Sequence, residues 1–203
     1  MEKLKIYGDS RSGNCYKLQL LCSEMEIPCH WQEVDILAGD TRTPEFLSMN
    51  ANGKIPLLAL PDGRYLAESN AILCFLADGS DFFGHDAFSR AEILQWMFFE
   101  QYSHEPFIAT SRFIIRYLGS PPERQADLLH KKDGGYAALG VMERQLADHD
   151  FMVDDQFTIA DIALFAYTHV ADEGGFDLAG FPAVLSWIQR IKSRSRYIPM
   201  ESK

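Results

Sequence analysis

The sequence lacks any long apolar run. No segment approaches the roughly 18 to 20 apolar residues that a membrane-spanning helix needs, and the opening residues, MEKLKIYGD, include no apolar stretch that could act as a secretory signal. A cytoplasmic location and no membrane partner are therefore expected. The chain has 203 residues, of which 47% are hydrophobic and 24% charged, and this composition is typical of a globular protein with one or two compact domains.

Cysteine and histidine are few and are not spaced as metal ligands. The four cysteines, at positions 15, 22, 29 and 74, form no C-x-x-C pair, and the six histidines show no H-x-x-x-H spacing. We therefore expect reduced thiols, no disulfide framework and no metal site.

Positive charge is scarce as well. The formal net charge of -10 would repel nucleic acid, and an anionic small ligand would need donors arranged locally. The one basic cluster, RIKSRSR from Arg190 to Arg196, fits the last turns of a terminal helix, where cations offset the negative end of the helix dipole. No nucleic-acid partner is expected.

The first 78 residues alternate between strand and helix patterns. The apolar run LKIYG is followed by apolar residues at helical spacing from Cys15 to Met25, and then by HWQEVDI, which alternates as a strand does. TPEFLSMN predicts a short helix with Thr43 as its cap and Pro44 at its first position. Two strands joined by a turn follow in KIPLLALPDGRYLAE, and SNAILCFLA predicts a helix capped by Ser69. The predicted order is βαβαββα.

The rest of the chain predicts helices alone. Residues 79–86 carry turn formers and read as a linker, and residues 87–203 are expected to form an all-α domain. It is expected to be helical over SRAEILQWMFFEQYSHEPFIATSRFIIRYL, with a break at GSPPE, then to form a helix from about Arg124 to Asp148 and helical segments over TIADIALFAYTHVADE and FPAVLSWIQRIKSRS.

One helix in this second region has a complete start signal. Thr158 and Asp161 have the spacing of a capping box, and Phe157 and Ile162 that of a hydrophobic staple. Asp161 is therefore interpreted as half of a cap rather than as a catalytic acid.

Small polar residues crowd the junction between the first strand and the first helix, in YGDSRSGNCYKLQLL. The first amides of a helix lack partners within the helix and carry the positive end of its dipole, so an anion is stabilised there. If the helix begins near Gly13, Ser12 and Asn14 place a hydroxyl and a carboxamide beside those amides. The pattern predicts a site for a small anion such as a thiolate.

Two further segments suit a ligand with both amino and carboxylate ends. In GKIP, a cis bond between Ile55 and Pro56 would expose the Ile55 amide and carbonyl to an extended, peptide-like ligand, whereas in the trans form Pro56 would be an ordinary strand start. In ESNAI, Glu68 is a carboxylate at a helix start and is able to receive an ammonium.

These motifs resemble those of the cytosolic glutathione transferases, and of bacterial members with a serine or asparagine active site. The resemblance rests on SGNCYK, NANGKIP, ESNAI and FTIADI, and it covers essentially the whole chain. It implies a thioredoxin-like domain to about residue 78 that binds glutathione, with a small hydrophobic electrophile between this domain and the helical one. The resemblance assigns the glutathione contacts to three pairs of residues: Ile55 and cis Pro56 for the cysteinyl backbone, Glu68 and Ser69 for the γ-glutamyl end, and Lys54 and Arg42 for the glycine carboxylate.

The residue that activates the thiol stays open between several candidates. By position in the family pattern Ser12 comes first as a hydrogen-bond donor to the sulfur, Asn14 second, and Ser10 and Tyr7 follow. Ser12 could equally be a plain helix cap. Cys15 could form a mixed disulfide with glutathione, but its place on the apolar helix stripe favours a small buried residue.

The resemblance implies conjugation of glutathione to small electrophiles, with Tyr102, Ser103 and Phe107 as the candidate wall of the electrophile site. Reduction of peroxides or disulfides by glutathione is the second interpretation, and a non-enzymatic interaction protein is the third. Family members usually form two-fold dimers, so a homodimer is expected.

Overall fold

The computed structural model describes residues 4–201. The chain divides into two compact units. Unit 1 consists of Met1–Asp78 together with Ser195–Lys203, and unit 2 of Gly79–Arg194. None of the helices within residues 4–201 combines the length and the apolar character that crossing a membrane requires.

In its described residues, unit 1 is a four-stranded mixed sheet with three α-helices, and it confirms the predicted order βαβαββα. The spatial order of the strands is β2-β1-β3-β4, in which β1 is parallel to β2 and every other pair is antiparallel. This is the thioredoxin-like arrangement. The strands are β1 (Leu4–Gly8), β2 (Cys29–Glu33), β3 (Leu57–Ala59) and β4 (Tyr65–Ala67), and the helices are α1 (Gly13–Glu24), α2 (Pro44–Met49) and α3 (Ser69–Leu76).

The alternation of side chains along β1 and β3 divides the core of unit 1 into two layers. Ile6 and Leu58 pack with residues of α1 and α3, including Leu18 and Ile72. Their neighbours in sequence, Tyr7 and Leu57, point to the opposite face, where the cluster includes Phe46 of α2. Helices α1 and α3 therefore cover one face of the sheet, and α2 covers the other.

Several sequence predictions for unit 1 need correction. Ser69 is the first residue of α3 rather than its cap, because Glu68 occupies the cap position. Strand β2 begins at Cys29 and ends at Glu33, before the predicted end of HWQEVDI, and a turn follows. The cap at Thr43 is confirmed, since its Oγ1 accepts the Phe46 N–H at 3.2 Å.

The C-terminal residues of the chain belong to unit 1, whereas the sequence analysis assigns them to the helical domain. Their hydrogen bonds to α1 explain the difference. Tyr16 Oη donates to the Ile198 carbonyl at 2.7 Å, and Ser23 Oγ donates to the Arg196 carbonyl at 2.7 Å. The Arg196 guanidinium in turn binds the Glu24 carbonyl at 2.9 Å.

Unit 2 is built from α-helices joined by turns, as predicted. All ten residues of one helix are buried, so that helix forms the centre of the unit. The helices are α4 (Ala87–Phe99), α5 (Glu105–Arg116), α6 (Gln125–Leu146), α7 (Ile159–Thr168) and α8 (Pro182–Lys192), and α7 is the buried one.

The segment EQYSHEPF is helical, as the sequence predicts, but its hydrogen bonding departs from that of a regular α-helix. Helix α4 ends at Phe99, a π-helical turn covers Glu100–His104, and α5 begins at Glu105. Pro106 lacks the N–H that would bond the carbonyl four residues earlier, so regular α-helical bonding cannot run through this segment. The Glu105 N–H instead donates to the Glu100 carbonyl, five residues back, as a π-turn requires.

The capping box of α7 is confirmed. The Thr158 N–H donates to Asp161 Oδ2 at 2.9 Å, and Thr158 Oγ1 accepts from the first turn of the helix. Asp161 Oδ1 also accepts the Trp187 indole N–H and the Met152 N–H, both at 3.0 Å. Asp161 is fully buried and its oxygens are used by these contacts, so its role in the structure is to hold the helix start.

Candidate functional site

Helix α1 starts where the sequence expects it, directly after the turn that follows β1. Ser12 has the cap position: its N–H donates to the Asp9 carbonyl at 2.9 Å, and its own carbonyl accepts the Tyr16 N–H at 2.8 Å. The Ser12 hydroxyl makes no capping bond to the helix. It is half-buried and hydrogen-bonds to the Cys15 thiol. Ser12 therefore caps α1 with its backbone, and its side chain is not used as a cap.

Cys15 is a buried thiol, as the sequence favours. It has no exposed surface, and burial raises its pKa to about 12, although hydrogen bonds from Ser12 and from the Asp9 backbone oppose the shift. The thiol therefore stays protonated at neutral pH. Gly8 makes room for this packing, because a Cβ there would lie 2.5 Å from the Trp31 ring and 3.0 Å from Cys15 Sγ.

The two lower-ranked candidates for thiol activation have other partners. Ser10 is buried, and both its N–H and its Oγ donate to Glu33 Oε1, at 3.0 and 3.1 Å. The Tyr7 ring lies on the face of the sheet covered by α2, where it meets the Phe46 ring edge-on at 6.3 Å. That face is opposite to the one that α1 covers.

The start of α3 forms the second part of the site. Glu68 has a φ of +69°, a left-handed value that costs a non-glycine residue energy and that recurs at functional sites. It is exposed, and its carboxylate has no hydrogen-bond or ion-pair partner within residues 4–201. Ser69 beside it is 6% exposed. A carboxylate, a hydroxyl and the first amides of α3 are thus brought together at one helix start.

A network of side chains links the starts of α1 and α3. Ser69 Oγ donates to Asn14 Oδ1 at 3.2 Å and accepts from Lys17 Nζ at 3.4 Å. Lys17 Nζ also donates to Asn70 Oδ1 at 3.3 Å. The structure therefore joins Asn14 and Ser69, which the sequence identified from motifs 55 residues apart.

Sequence reasoning missed Lys17 and Asn70. Lys17 is fully buried, although lysine is seldom found inside a protein. It lies within SGNCYK, and its position inside the apolar stripe of α1 is the signal that could have identified it. Asn70 offers no comparable signal, because its contact with Lys17 depends on the packing of α3 against α1.

The loop before β3 forms the third part of the site. The Ile55–Pro56 peptide bond is cis. The Asn50 side chain holds the loop, since its Nδ2 donates to the Lys54 carbonyl at 2.8 Å and its Oδ1 accepts the Asn52 N–H at 3.1 Å. Within residues 4–201 the Ile55 amide and carbonyl have no hydrogen-bond partner, so this edge can bind an extended chain.

The two basic residues that the resemblance assigns to a ligand carboxylate differ in their surroundings. Arg42 is exposed but donates to the Asn52 carbonyl at 3.3 Å, and it lies against Gly53, where a Cβ would be 2.6 Å from its Nη1. The side chain of Lys54 is exposed and makes no hydrogen bond or ion pair to the described part of the chain. Lys54 is therefore the more available cation.

The three candidate residues of the electrophile wall line one cavity of unit 2, with a volume of about 540 Å³. Tyr102 and Ser103 come from the π-turn and Phe107 from α5. The opposite wall is formed by small residues of α6, which are Gly134, Ala137, Ala138 and Val141, and Phe99 completes it. Ser103 is its one polar side chain besides the Tyr102 hydroxyl, so the cavity suits an apolar molecule.

The site in unit 1 has a defined chemical character. Two helix N-termini and the Lys17 ammonium provide positive potential, the Glu68 carboxylate can receive an ammonium, and Ile55 offers a main-chain edge. This set of groups suits a short zwitterionic peptide with an anionic group near Ser12. In the part of the chain that the structure describes, no group of three or more His, Cys, Asp or Glu side chains is arranged to hold a metal ion.

Comparison with known protein families gives two matches. Residues 11–78 match the family model described as glutathione S-transferase, N-terminal domain. Residues 96–195 match the model described as glutathione S-transferase, C-terminal domain.

Individual relatives support the same family. A crystal structure of a glutathione S-transferase from Pseudomonas fluorescens is 55% identical, with a TM-score of 0.97 and coverage of 99% of this chain and 100% of that one. A glutathione transferase from Burkholderia graminis, solved with two glutathione molecules bound per subunit, is 28% identical with a TM-score of 0.83, over 96% of this chain and 85% of that one. The disulfide-bond oxidoreductase YfcG of Escherichia coli is 29% identical over an alignment of 189 residues that covers 89% of this chain and 86% of that protein.

Proposed function

The chain belongs to the glutathione S-transferase family, and on that basis we propose that it binds glutathione in unit 1 and activates its sulfur as a thiolate for attack on small hydrophobic electrophiles. The observation that carries the proposal is the hydrogen bond from Ser69 Oγ to Asn14 Oδ1 at 3.2 Å. It shows that the polar starts of α1 and α3 lie side by side, so one short ligand can contact both. We further propose a cytoplasmic homodimer.

Each end of glutathione has a matching group. The Ile55 amide and carbonyl pair with the cysteinyl backbone, next to Pro56. Glu68 receives the γ-glutamyl ammonium, and Ser69 at the start of α3 receives the carboxylate of the same end. Lys54 binds the glycine carboxylate, with Arg42, which already donates to the Asn52 carbonyl, as a lesser contributor.

Ser12 is the proposed donor to the glutathione sulfur. Its hydroxyl is not used as a helix cap. The neighbouring Cys15 thiol stays protonated, so a glutathione thiolate, being charged, is the stronger acceptor for the Ser12 hydroxyl proton. Together with the first amides of α1, this donor favours the thiolate over the thiol. Asn14 ranks second, because its Oδ1 already accepts from Ser69 and its role is to hold the two helix starts together.

The electrophile is proposed to contact Tyr102, Ser103 and Phe107. Their cavity is apolar on most of its surface, so it favours small hydrophobic compounds. The protein then contributes by binding the two reactants and stabilising the thiolate, rather than by covalent chemistry of its own.

Reduction of disulfides is the second candidate function, and similarity to a disulfide-bond oxidoreductase favours it. Both reactions use the same glutathione thiolate and differ in whether it attacks carbon or sulfur. Parallel assays with a haloaromatic compound, hydroxyethyl disulfide and cumene hydroperoxide separate conjugation from the two reductive activities. A protein that binds glutathione and catalyses none of these would belong to the non-enzymatic members of the family.

The proposal is tested by calorimetry and by thiolate titration. Glutathione is expected to bind the wild-type protein, and the ultraviolet absorbance of its thiolate should show a pKa well below that of free glutathione. Ser12→Ala should raise this pKa by about one unit or more, because one donor to the charged sulfur is lost. Ser10→Ala is the matched control, since that hydroxyl is bound to Glu33, and it should leave the pKa unchanged.

Two results would contradict the proposal. An absence of binding heat at millimolar glutathione would remove glutathione as the ligand. An unchanged thiolate pKa in Ser12→Ala, together with a raised one in Asn14→Ala, would transfer the activating role to Asn14.

A further inference from the structure

Unit 1 contains a pair of cysteines that the proposed function does not use. The side chains of Cys22 and Cys29 pack in the same hydrophobic cluster, near enough for each to shift the pKa of the other. Cys22 lies in the last turn of α1 and Cys29 is the first residue of β2. Ten residues of helix separate Cys22 from Ser12, a distance of about 15 Å along the helix axis, so the pair is separate from the proposed glutathione site.

The backbone holds the two thiols in place. The Ile27 N–H donates to the Cys22 carbonyl at 2.8 Å, which ties the connection between α1 and β2 back to the helix. Cys29 pairs with Leu4 in the parallel β1–β2 ladder, so its position is set by the sheet. Both cysteines also pack in the same hydrophobic cluster. The nearness of the two side chains therefore follows from the fold of unit 1.

The two thiols differ in exposure. Cys22 is 5% exposed, whereas Cys29 is half-buried and reaches solvent. A small disulfide can thus approach Cys29, while Cys22 is shielded behind it. An accessible attacking thiol next to a shielded resolving thiol is the arrangement that redox-sensitive cysteine pairs use.

The two thiols also differ in pKa, and the more exposed thiol, Cys29, is the one that ionises more readily. The hydrogen bond from Cys22 lowers the pKa of Cys29 to about 7, against the opposing effect of burial. Burial raises the pKa of both remaining cysteines, to about 12 for Cys15 and above its ordinary value for Cys74. Since the thiolate is the nucleophile in disulfide exchange, Cys29 is the reactive cysteine of the four.

We propose that Cys22 and Cys29 form a redox-active dithiol that glutathione disulfide oxidises in two steps. First, the Cys29 thiolate attacks one sulfur of glutathione disulfide, whose S–S bond breaks; one glutathione thiolate leaves and Cys29 carries a mixed disulfide. Second, Cys22 gives up its proton and attacks the Cys29 sulfur, and the second glutathione leaves. The two protein thiols are oxidised to one disulfide, and one glutathione disulfide is reduced to two glutathione molecules, which take up the two protons.

This reaction needs a small disulfide but not the site at the starts of α1 and α3. Hydroxyethyl disulfide, which lacks the amino and carboxylate groups of glutathione, serves as a second oxidant. Oxidation of the dithiol by both compounds is expected even if glutathione binding at Ser12 and Ser69 were to fail its own test.

The experiment uses the full chain, reduced and desalted, with the variants Cys22→Ser and Cys29→Ser and with Cys74→Ser as a matched control. Each protein is incubated with either disulfide, its remaining thiols are blocked with N-ethylmaleimide, and its intact mass is measured. The wild-type protein should lose two blockable thiols, and Cys74→Ser should lose the same two. Cys22→Ser should stop at the mixed disulfide on Cys29, and Cys29→Ser should keep its remaining thiols over the same period.

Proteolysis identifies the bond. Trypsin leaves both cysteines in one peptide, residues 18–42, whereas cleavage after Glu24 or Glu26 separates them. After oxidation the two fragments should stay joined until a reductant is added. Four blockable thiols in the oxidant-treated wild-type protein, or modification of Cys74 as fast as that of Cys29, would overturn the proposal.

Discussion

At the scale of single residues, a lysine with no exposed surface requires an explanation, because an ammonium loses its hydration on burial. The stem of Lys17 lies inside unit 1, and its Nζ lies near Ser69 Oγ at 3.4 Å and Asn70 Oδ1 at 3.3 Å. These contacts keep the Lys17 ammonium next to the first turn of α3, where the γ-glutamyl carboxylate is proposed to bind. Lys17 is thus expected to act through Ser69 as a positioning residue.

Replacing Lys17 by Met should lower the affinity for glutathione about tenfold or more, since hydrogen bonds to charged groups contribute about 1.5 to 3 kcal/mol. Met fills a similar volume, so the fold should persist. Calorimetry measures the affinity, and circular dichroism checks the fold. Lys192→Met, at an exposed position of α8, controls for the loss of one charge and should bind as the wild-type protein does. Equal affinity of Lys17→Met and wild type would contradict this role.

The sequence predicts some residues of the site and not others for a physical reason. Ser12 and Asn14 follow from the rule that helix starts offer unpaired amides, which is a local property of the chain. The burial of Lys17 depends instead on α3, which lies more than fifty residues further on. The true cap of α3 was missed because Glu68 adopts a left-handed φ that its residue type does not predict.

At the scale of elements, α6 contains two adjacent glycines in its interior, where each costs about 1 kcal/mol relative to alanine. Packing explains them. A Cβ on Gly134 would lie 2.3 Å from the Phe107 ring, and one on Gly135 would lie 2.2 Å from the Phe176 ring. Each glycine therefore accepts an aromatic ring against the helix backbone, and Gly134 sets the position of a wall of the proposed electrophile cavity.

Gly134→Ala should displace Phe107 and reshape the cavity. We expect kcat/KM for a haloaromatic substrate to fall about tenfold, while the affinity for glutathione stays unchanged. Gly140→Ala is the matched control in the same helix, because its Cβ would meet only Arg144 Nη1, at 3.6 Å. That variant should keep its activity and gain up to about 1 kcal/mol in stability. Loss of activity in both variants to the same extent would refute the role of Gly134.

The elements that the sequence predicts correctly are those with local signals. The capping box of α7 and the cap of α2 are built from residues three positions apart, and both are confirmed. The π-turn at Glu100–His104 was missed because the apolar period runs through it, and only the lost hydrogen bond at Pro106 points to a break. Hydrophobic periodicity therefore gave the extent of this helical region and not its interruption.

At the scale of the whole molecule, stability against pH depends on the difference in bound protons between the folded and unfolded states. Two groups of unit 2, the fully buried Asp161 and the half-buried His169, have opposite effects. Burial raises the pKa of Asp161 to about 6, although hydrogen bonds from Thr158, Trp187 and Met152 oppose it. Burial lowers the pKa of His169 to about 4, although its bond to the Phe165 carbonyl opposes it.

Between pH 4 and 6 the effects of the two pKa shifts on the free energy of unfolding nearly cancel. Asp161 binds its proton in the folded state and releases it on unfolding, so its contribution to stability is present below the unfolded pKa and is lost as the pH rises to 6. His169 is neutral in the folded state and binds a proton on unfolding, so its contribution is lost as the pH falls from 6.5 to 4. The wild-type protein should therefore show little net dependence on pH from this pair.

Removing one group of the pair should make the effect of the other group on the pH dependence of stability measurable. In Asp161→Asn the acid side of the stability profile should steepen by about 1.4 kcal/mol per pH unit between pH 4 and 6, because His169 is no longer opposed. The advantage of wild type over the variant should shrink by about 3 kcal/mol as the pH rises across this range, and it should be constant above pH 7. Urea unfolding followed by circular dichroism at a series of pH values measures both quantities. Asp148→Asn, at an exposed position, is the control, and profiles of wild type and Asp161→Asn that run parallel between pH 4 and 6 would show that Asp161 titrates as an ordinary carboxylate.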